Sequence, residues 1–164
     1  MEISFKSLVL LVSLLLTGLT AGLCFTWSNA VTPGIGRLSD QGFLQAFQEM
    51  NRVIINPAFL IIFMGPAILL FVNAYQFRGE NNFVFYSFLL AAIVYFTGVA
   101  MVTVFKNVPL NEMLDKTNLE SATKAELALL REKFEQPWNS WHIVRTITSV
   151  TAFVALLTGV LFSK

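Results

Sequence analysis

Phe83–Phe105, FVFYSFLLAAIVYFTGVAMVTVF, runs for 23 residues without a charge. An α-helix rises ~1.5 Å per residue and the hydrocarbon core of a bilayer is ~30 Å thick, so roughly 20 apolar residues cross it. The stretch therefore reads as a transmembrane helix, and three more of similar length share the chain. Ser7–Phe25 and Pro57–Tyr75 hold 19 residues each and Ile143–Phe162 holds 20; only the last carries a charge, Arg145. The expected fold class is all-α, a four-transmembrane-helix bundle making a single membrane domain of residues 1–164.

Composition agrees with a lipid solvent. Charged residues are 13% of the chain, against about 25% in soluble domains, and the mean hydropathy is +0.67. A net charge of +1 leaves no electrostatic footprint for nucleic acid. The expected partners are the lipid bilayer and a small hydrophobic molecule. Cys24 is the one cysteine, so no intrachain disulfide can form. Lys6 ahead of the first run resembles the start of a signal peptide. The run is longer than the usual core of roughly 7–15 residues, and no Ala-x-Ala site follows. Leu19–Cys24, LTAGLC, resembles a lipoprotein box but places Leu23 where a small residue belongs. A retained helix is the expectation.

Gln76–Asn82 alone separates the second and third runs, which predicts an antiparallel hairpin. The other two connections, Thr26–Asn56 and Lys106–His142, hold 31 and 37 residues. With four spans, both long connections fall on one membrane face, and the termini and short loop on the other. Pro33-Gly34-Ile35-Gly36 reads as a turn, not a phosphate cradle, since no strand precedes it. Ser39 or Asp40 can cap a helix whose polar face is Gln41, Gln45, Gln48, Glu49, Arg52 and Asn56. Pro57 suits the first turn of a new helix, or a kink. Asn107 reads as a cap with Pro109 in the first turn, and Thr123 with Glu126 as a capping box. That last helix is expected to end at Pro137, beside the fourth span. Seven Lys/Arg on the long-loop side, against Lys6, Arg78 and Lys164 opposite, lean toward cytoplasmic long loops. A bacterial plasma (inner) membrane is the expected setting.

The topology gathers polar residues at one membrane boundary. Glu49, Arg52 and Asn56 enter the second span, Asn107 and Asn111 leave the third, and Asn139, His142 and Arg145 enter the fourth. Spacings of 3, 3 and 4 put Asn139, His142, Arg145 and Ser149 on one helical stripe. An arginine inside a span costs several kcal/mol unless paired or wet, which favours the bundle interior. Glu49 is the sequence-plausible partner of either arginine. The alternative roles are plain ones: Arg52 and Arg145 snorkel to headgroups, Asn107 and Asn139 cap helices, and His142 belongs to a belt with Trp27, Trp138 and Trp141.

One histidine and one cysteine cannot build a zinc, di-copper or two-histidine iron site, and no Walker loop, dinucleotide fingerprint or nucleophile elbow occurs. No metal, flavin or nucleotide cofactor is expected. What remains for catalysis is proton abstraction with oxyanion stabilisation: one imidazole, whose unperturbed pKa lies near neutrality, and one or two arginines.

Three segments carry a resemblance: Gln45–Phe59, QAFQEMNRVIINPAF; Asn107–Leu114, NVPLNEML; and Pro137–Thr146, PWNSWHIVRT. Together they resemble the anthrone oxygenase-like family of small membrane proteins, over Leu44 to the end of the chain. The bacterial branch of that family is described as a domain without an assigned activity. Its fungal members oxidise anthrones to anthraquinones with O2 and no cofactor. The resemblance marks Asn51, Arg52, Asn56, Asn107, Pro109, Asn111, Trp138, Asn139, Trp141, His142 and Arg145 as signature positions. Joined to the residue chemistry above, it makes His142, Arg145 and Arg52 the expected catalytic residues, with Asn56, Asn107, Asn111, Trp138, Asn139 and Trp141 expected to bind substrate. A non-catalytic protein that binds or moves a lipophile, or supports the envelope, is the competing reading. A catalytic pocket would be closed and hold His142 against an arginine, whereas a transport path would show a polar track to both faces.

Overall fold

The computed structural model describes residues 4–163, which form five helices and no strand. Four are long and apolar enough to cross a membrane: α1 (Phe5–Ile35), α3 (Pro57–Gln76), α4 (Asn82–Asp115) and α5 (Lys124–Leu161). Between α1 and α3 lies the amphipathic α2 (Asp40–Ile54). Leu11, Leu15, Ile61, Ile68, Ile93, Ile147 and Val154 project outward from the long helices and stay exposed. In lipid that outward apolar belt is what a span requires.

Both ends of the bundle are fixed by contacts. At one, Lys6 of α1 pairs with Glu80 and lies over the Phe77 ring, and Phe83 packs on Phe162 at 5.2 Å. The amino-terminal turn, the short loop and the end of α5 therefore share one face; Gly79 makes the loop turn with φ 81°, a conformation L side chains avoid. Lys164, expected on this face too, lies outside the described residues. At the other end Phe43, Phe47, Leu114, Leu127, Phe134 and Trp138 bury one another, so both long connections pack together. Arg131 ties the α1–α2 turn onto α5: it donates to Gly36 O at 2.7 Å and Leu38 O at 2.9 Å, and pairs with Glu135 and Asp40.

Inside the spans the helices touch through small residues and hydroxyls. A Cβ on Gly98 would lie 2.4 Å from Thr148, so α4 and α5 meet there backbone to side chain. Tyr95 donates to Phe63 O at 2.6 Å, Thr20 to Ile62 O at 2.9 Å and Asn73 to Ser13 Oγ at 2.6 Å. Each bond joins two different helices where water cannot serve as partner.

Three local expectations change. Residues 33–36 are not a separate turn: α1 continues through a π-helical stretch, Trp27–Val31, to Ile35. Asn107 is not a cap, because α4 runs unbroken through it after another π-helical stretch, Thr103–Asn107. In both helices a proline, Pro33 or Pro109, stands two residues beyond the π-turn, at an irregular step that tolerates a missing N–H. Nor does α5 stop at Pro137: the helix passes through it, on a face where both Lys133 and Pro137 are exposed. Of the choices at Pro57, a new helix is the one formed, capped by Asn56 Oδ1 accepting from Phe59 N at 3.0 Å. The Thr123–Glu126 capping box forms as read.

Candidate functional site

A cavity of about 240 Å³ lies where the cap formed by α2 meets the spans. That is just below the ~300–1,000 Å³ usual for small-molecule sites. Its walls are apolar for the most part: Leu23 and Trp27 from α1, Phe47 and Ile54 from α2, Phe59, Phe63 and Met64 from α3. The polar atoms come chiefly from α4 and α5, as Thr103, Asn111, His142 and Arg145, with Asn51 on α2.

Arg145 dominates the electrostatics. It is 7% exposed, and among the described residues no carboxylate lies within the 4.0 Å of an ion pair. Its Nη1 donates to Thr103 Oγ1 at 3.2 Å and its Nη2 to His142 Nδ1 at 2.8 Å. The guanidinium carbon stands 5.1 Å from the Trp138 ring, a cation–π contact that offsets part of the burial. Nε is buried without a partner. A desolvated cation with a spare donor at a cavity wall is a receptor for a small anion or a developing oxyanion.

His142 completes the arrangement. Guanidinium nitrogens only donate, so Nδ1 must accept, and the proton of the neutral ring sits on Nε2. That Nε2 lies 3.1 Å from Cys24 O, to which it donates. The ring stacks on Trp138 at 4.9 Å and 17°. Trp138 is in turn held by its indole N–H, which donates to Asn111 Oδ1 at 2.7 Å. Behind it, fully buried Asn107 donates from Nδ2 to Trp138 O at 3.2 Å.

Of the residues marked from sequence, Asn51, Asn111, Trp138, His142 and Arg145 line the cavity together. Asn107 is one layer behind them. Arg52 lies outside, about half-exposed, bonding Asp115 at 2.7 Å and Glu49 at 2.8 Å, so it clamps α2 to the end of α4. The Asp115 bond, followed by the two carboxylate charges, holds its guanidinium above the ordinary arginine range. Asn56 caps α3 and borders a shallow depression with Glu49 and Val53. Trp141 lies under Lys106, whose Nζ is 4.9 Å from its ring. Asn139 lines a separate groove on the far flank of α5. The marking from sequence missed Thr103, Cys24, Trp27 and the phenylalanines Phe47, Phe59 and Phe63. Thr103 could have been noticed as a polar residue four before Asn107 in an apolar run; the others look like ordinary packing residues.

A family model described as anthrone oxygenase matches residues 55–155, narrower than the span from Leu44 to the end. No curated protein and no solved structure matches the chain.

Proposed function

The chain belongs to the anthrone oxygenase family, and from that premise we propose that it is a cofactor-independent membrane oxygenase acting on an anthrone-like aromatic. One observation carries the reading: Arg145 is buried at the wall of an apolar cavity with a spare N–H and no acidic partner among the described residues. An anthrone is neutral enough to enter such a cavity and acidic enough at its methylene to become the missing anion there.

In the proposed sequence the substrate carbonyl takes a second N–H of an Arg145 Nη, since the bonds to Thr103 and His142 use one apiece. His142 Nδ1 accepts a methylene proton as the growing oxyanion draws the guanidinium off the ring. The resulting carbanion, held as its enolate, reacts with O2. One oxygen atom becomes the new carbonyl and the other leaves as water with the two methylene hydrogens. Asn111 fixes Trp138, which with Phe47 and Phe59 encloses the aromatic rings. Asn107 and Asn139 hold or flank α5, Asn56 and Arg52 set the position of α2 over the cavity, and Trp141 anchors α5 at the boundary. The setting proposed is a bacterial plasma membrane with the long-loop face cytoplasmic.

A conduit is less well supported, because fully buried Leu70, Phe88, Tyr95 and Leu156 fill the bundle toward the other face. The test is to incubate purified protein in lipid with an anthrone under ¹⁸O2 and follow label into the quinone. Incorporation faster than spontaneous oxidation, and reduced ~10²–10⁴-fold in His142→Ala, is the expected result. A folded wild type with no rate above background would overturn the reading.

A further inference from the structure

His142 lines two hollows that have no other lining residue in common. The first is the apolar cavity with Arg145. The second is a groove on the opposite flank of α5, where Ser28, Thr32, Arg37, Glu135 and Asn139 stand beside Pro33 and Ile143. Helix geometry explains the division. At ~100° per residue, Arg145 lies about 60° to one side of His142 and Asn139 about 60° to the other. The two ring nitrogens have different partners. Nδ1 meets Arg145, while Nε2 meets Cys24 O, which also accepts from Thr146 Oγ1 at 3.2 Å. Thr146 Oγ1 is 2.8 Å from Ser28 Oγ, and Ser28 borders the groove. Asn139 borders the groove one helical turn before His142, and its Oδ1 is buried without a protein partner.

We propose that His142 is a two-faced proton carrier, with its Nδ1 edge serving the apolar cavity and its Nε2 edge exchanging protons, past Cys24 O and Thr146, with water in the groove bordered by Ser28 and Asn139. This rests on the reading of His142 as the base. A proton taken from the substrate carbon onto Nδ1 gives an imidazolium, which releases the Nε2 proton to groove water. The enolate then stays beside Arg145 as a neutral pair. When O2 has added, the same route returns a proton to the peroxide oxygen, so the cycle takes up and releases none overall. Asn139, Ser28 and Thr146 are positioning residues in this scheme, acting through the ring and the water.

Two readouts test it, and the first needs no activity. His142 is the only histidine, so diethylpyrocarbonate labelling, read by mass spectrometry, reports on that ring alone. The reagent should label wild type in lipid. Labelling should be lost in Asn139→Leu, and also in Ile143→Trp, which adds bulk at the groove from an exposed position. Filling the apolar cavity with an anthraquinone should leave it unchanged. The second readout is anaerobic washout of deuterium from a methylene-labelled anthrone into water, expected to fall ~10²-fold in either groove variant. Folding of each variant is checked by its thermal transition, and one folded variant suffices. Labelling blocked by the anthraquinone but not by the groove variants would overturn the proposal, as would washout that ignores them. Absence of anthrone conversion by folded wild type would refute the activity reading instead, and leaves the labelling result to decide groove access.

Discussion

Replacing Arg145 by methionine separates a functional cation from a structural one. Methionine keeps the length and apolar stem and removes the charge. The variant loses the bonds to Thr103 and His142, each worth ~1.5–3 kcal/mol for a charged donor. It also loses a cation–π contact on Trp138, worth up to ~2 kcal/mol when desolvated. Thr103 Oγ1 still donates to Val99 O at 2.7 Å, so only His142 Nδ1 is left without its donor. Against these losses stands the relief of desolvation for a buried cation with no counter-charge, several kcal/mol. Opposing terms of equal size predict a stability within ~2 kcal/mol of wild type, on either side. Turnover should fall ~10²–10³-fold, the usual loss when one preorganised oxyanion donor is removed. The assay is thermal unfolding in detergent beside ¹⁸O incorporation, with a hydroxyanthraquinone as anionic probe. That probe at ~100 times its Kd should stabilise wild type by ~2.7 kcal/mol and the variant much less. A stability loss of ~3–5 kcal/mol, typical of breaking a buried ion pair, or turnover within tenfold of wild type, would refute the reasoning.

Three further outcomes are expected. Gly98→Ala should destabilise the bundle by ~1–3 kcal/mol, since its new methyl lies 2.4 Å from Thr148 and one helix must shift; an unchanged unfolding transition counts against that close approach. Arg52→Ala should loosen α2 from Asp115, seen as faster amide exchange over Asp40–Ile54 with little change over Lys124–Leu161; uniform exchange in both would assign the clamp no local role. Single cysteines at Ser39, Ser121 and Gly79, in a background without Cys24, should label from one membrane side for the first two and the other for the third; labelling of 39 and 121 from opposite sides rules out the four-span bundle.

The local devices that could be seen in sequence share a property: each depends on residues within about a turn of one another. The Thr123–Glu126 box closes across three residues, and the Arg145–His142 bond joins positions three apart on one helix. Where a neighbour on another element decides, the reading from sequence loses its hold. Asn107 has the composition of a cap, yet the π-turn before it keeps α4 helical and turns its amide to Trp138 O on α5. Glu49 was a plausible partner for either arginine, and it pairs with Arg52, leaving Arg145 without a carboxylate.

The sequence by itself determined the four spans, their up-and-down order and the membrane face on which polar residues collect, because bilayer thickness and helix rise translate apolar length directly into topology. It also placed His142 and Arg145 side by side, since 3.6 residues per turn fixes that relation within one helix. Only the tertiary structure decided which polar residues share the cavity. That depends on how each helix is rotated about its own axis, and a π-turn in α1 and two in α4 insert residues that each swing the following face by ~100°. Rotation is set by packing of Gly98 on Thr148, Trp138 on His142 and Arg131 on the α1–α2 turn. These contacts join residues distant in sequence, so periodicity could place Asn139 and Arg145 near one stripe but could not say that they open into different hollows.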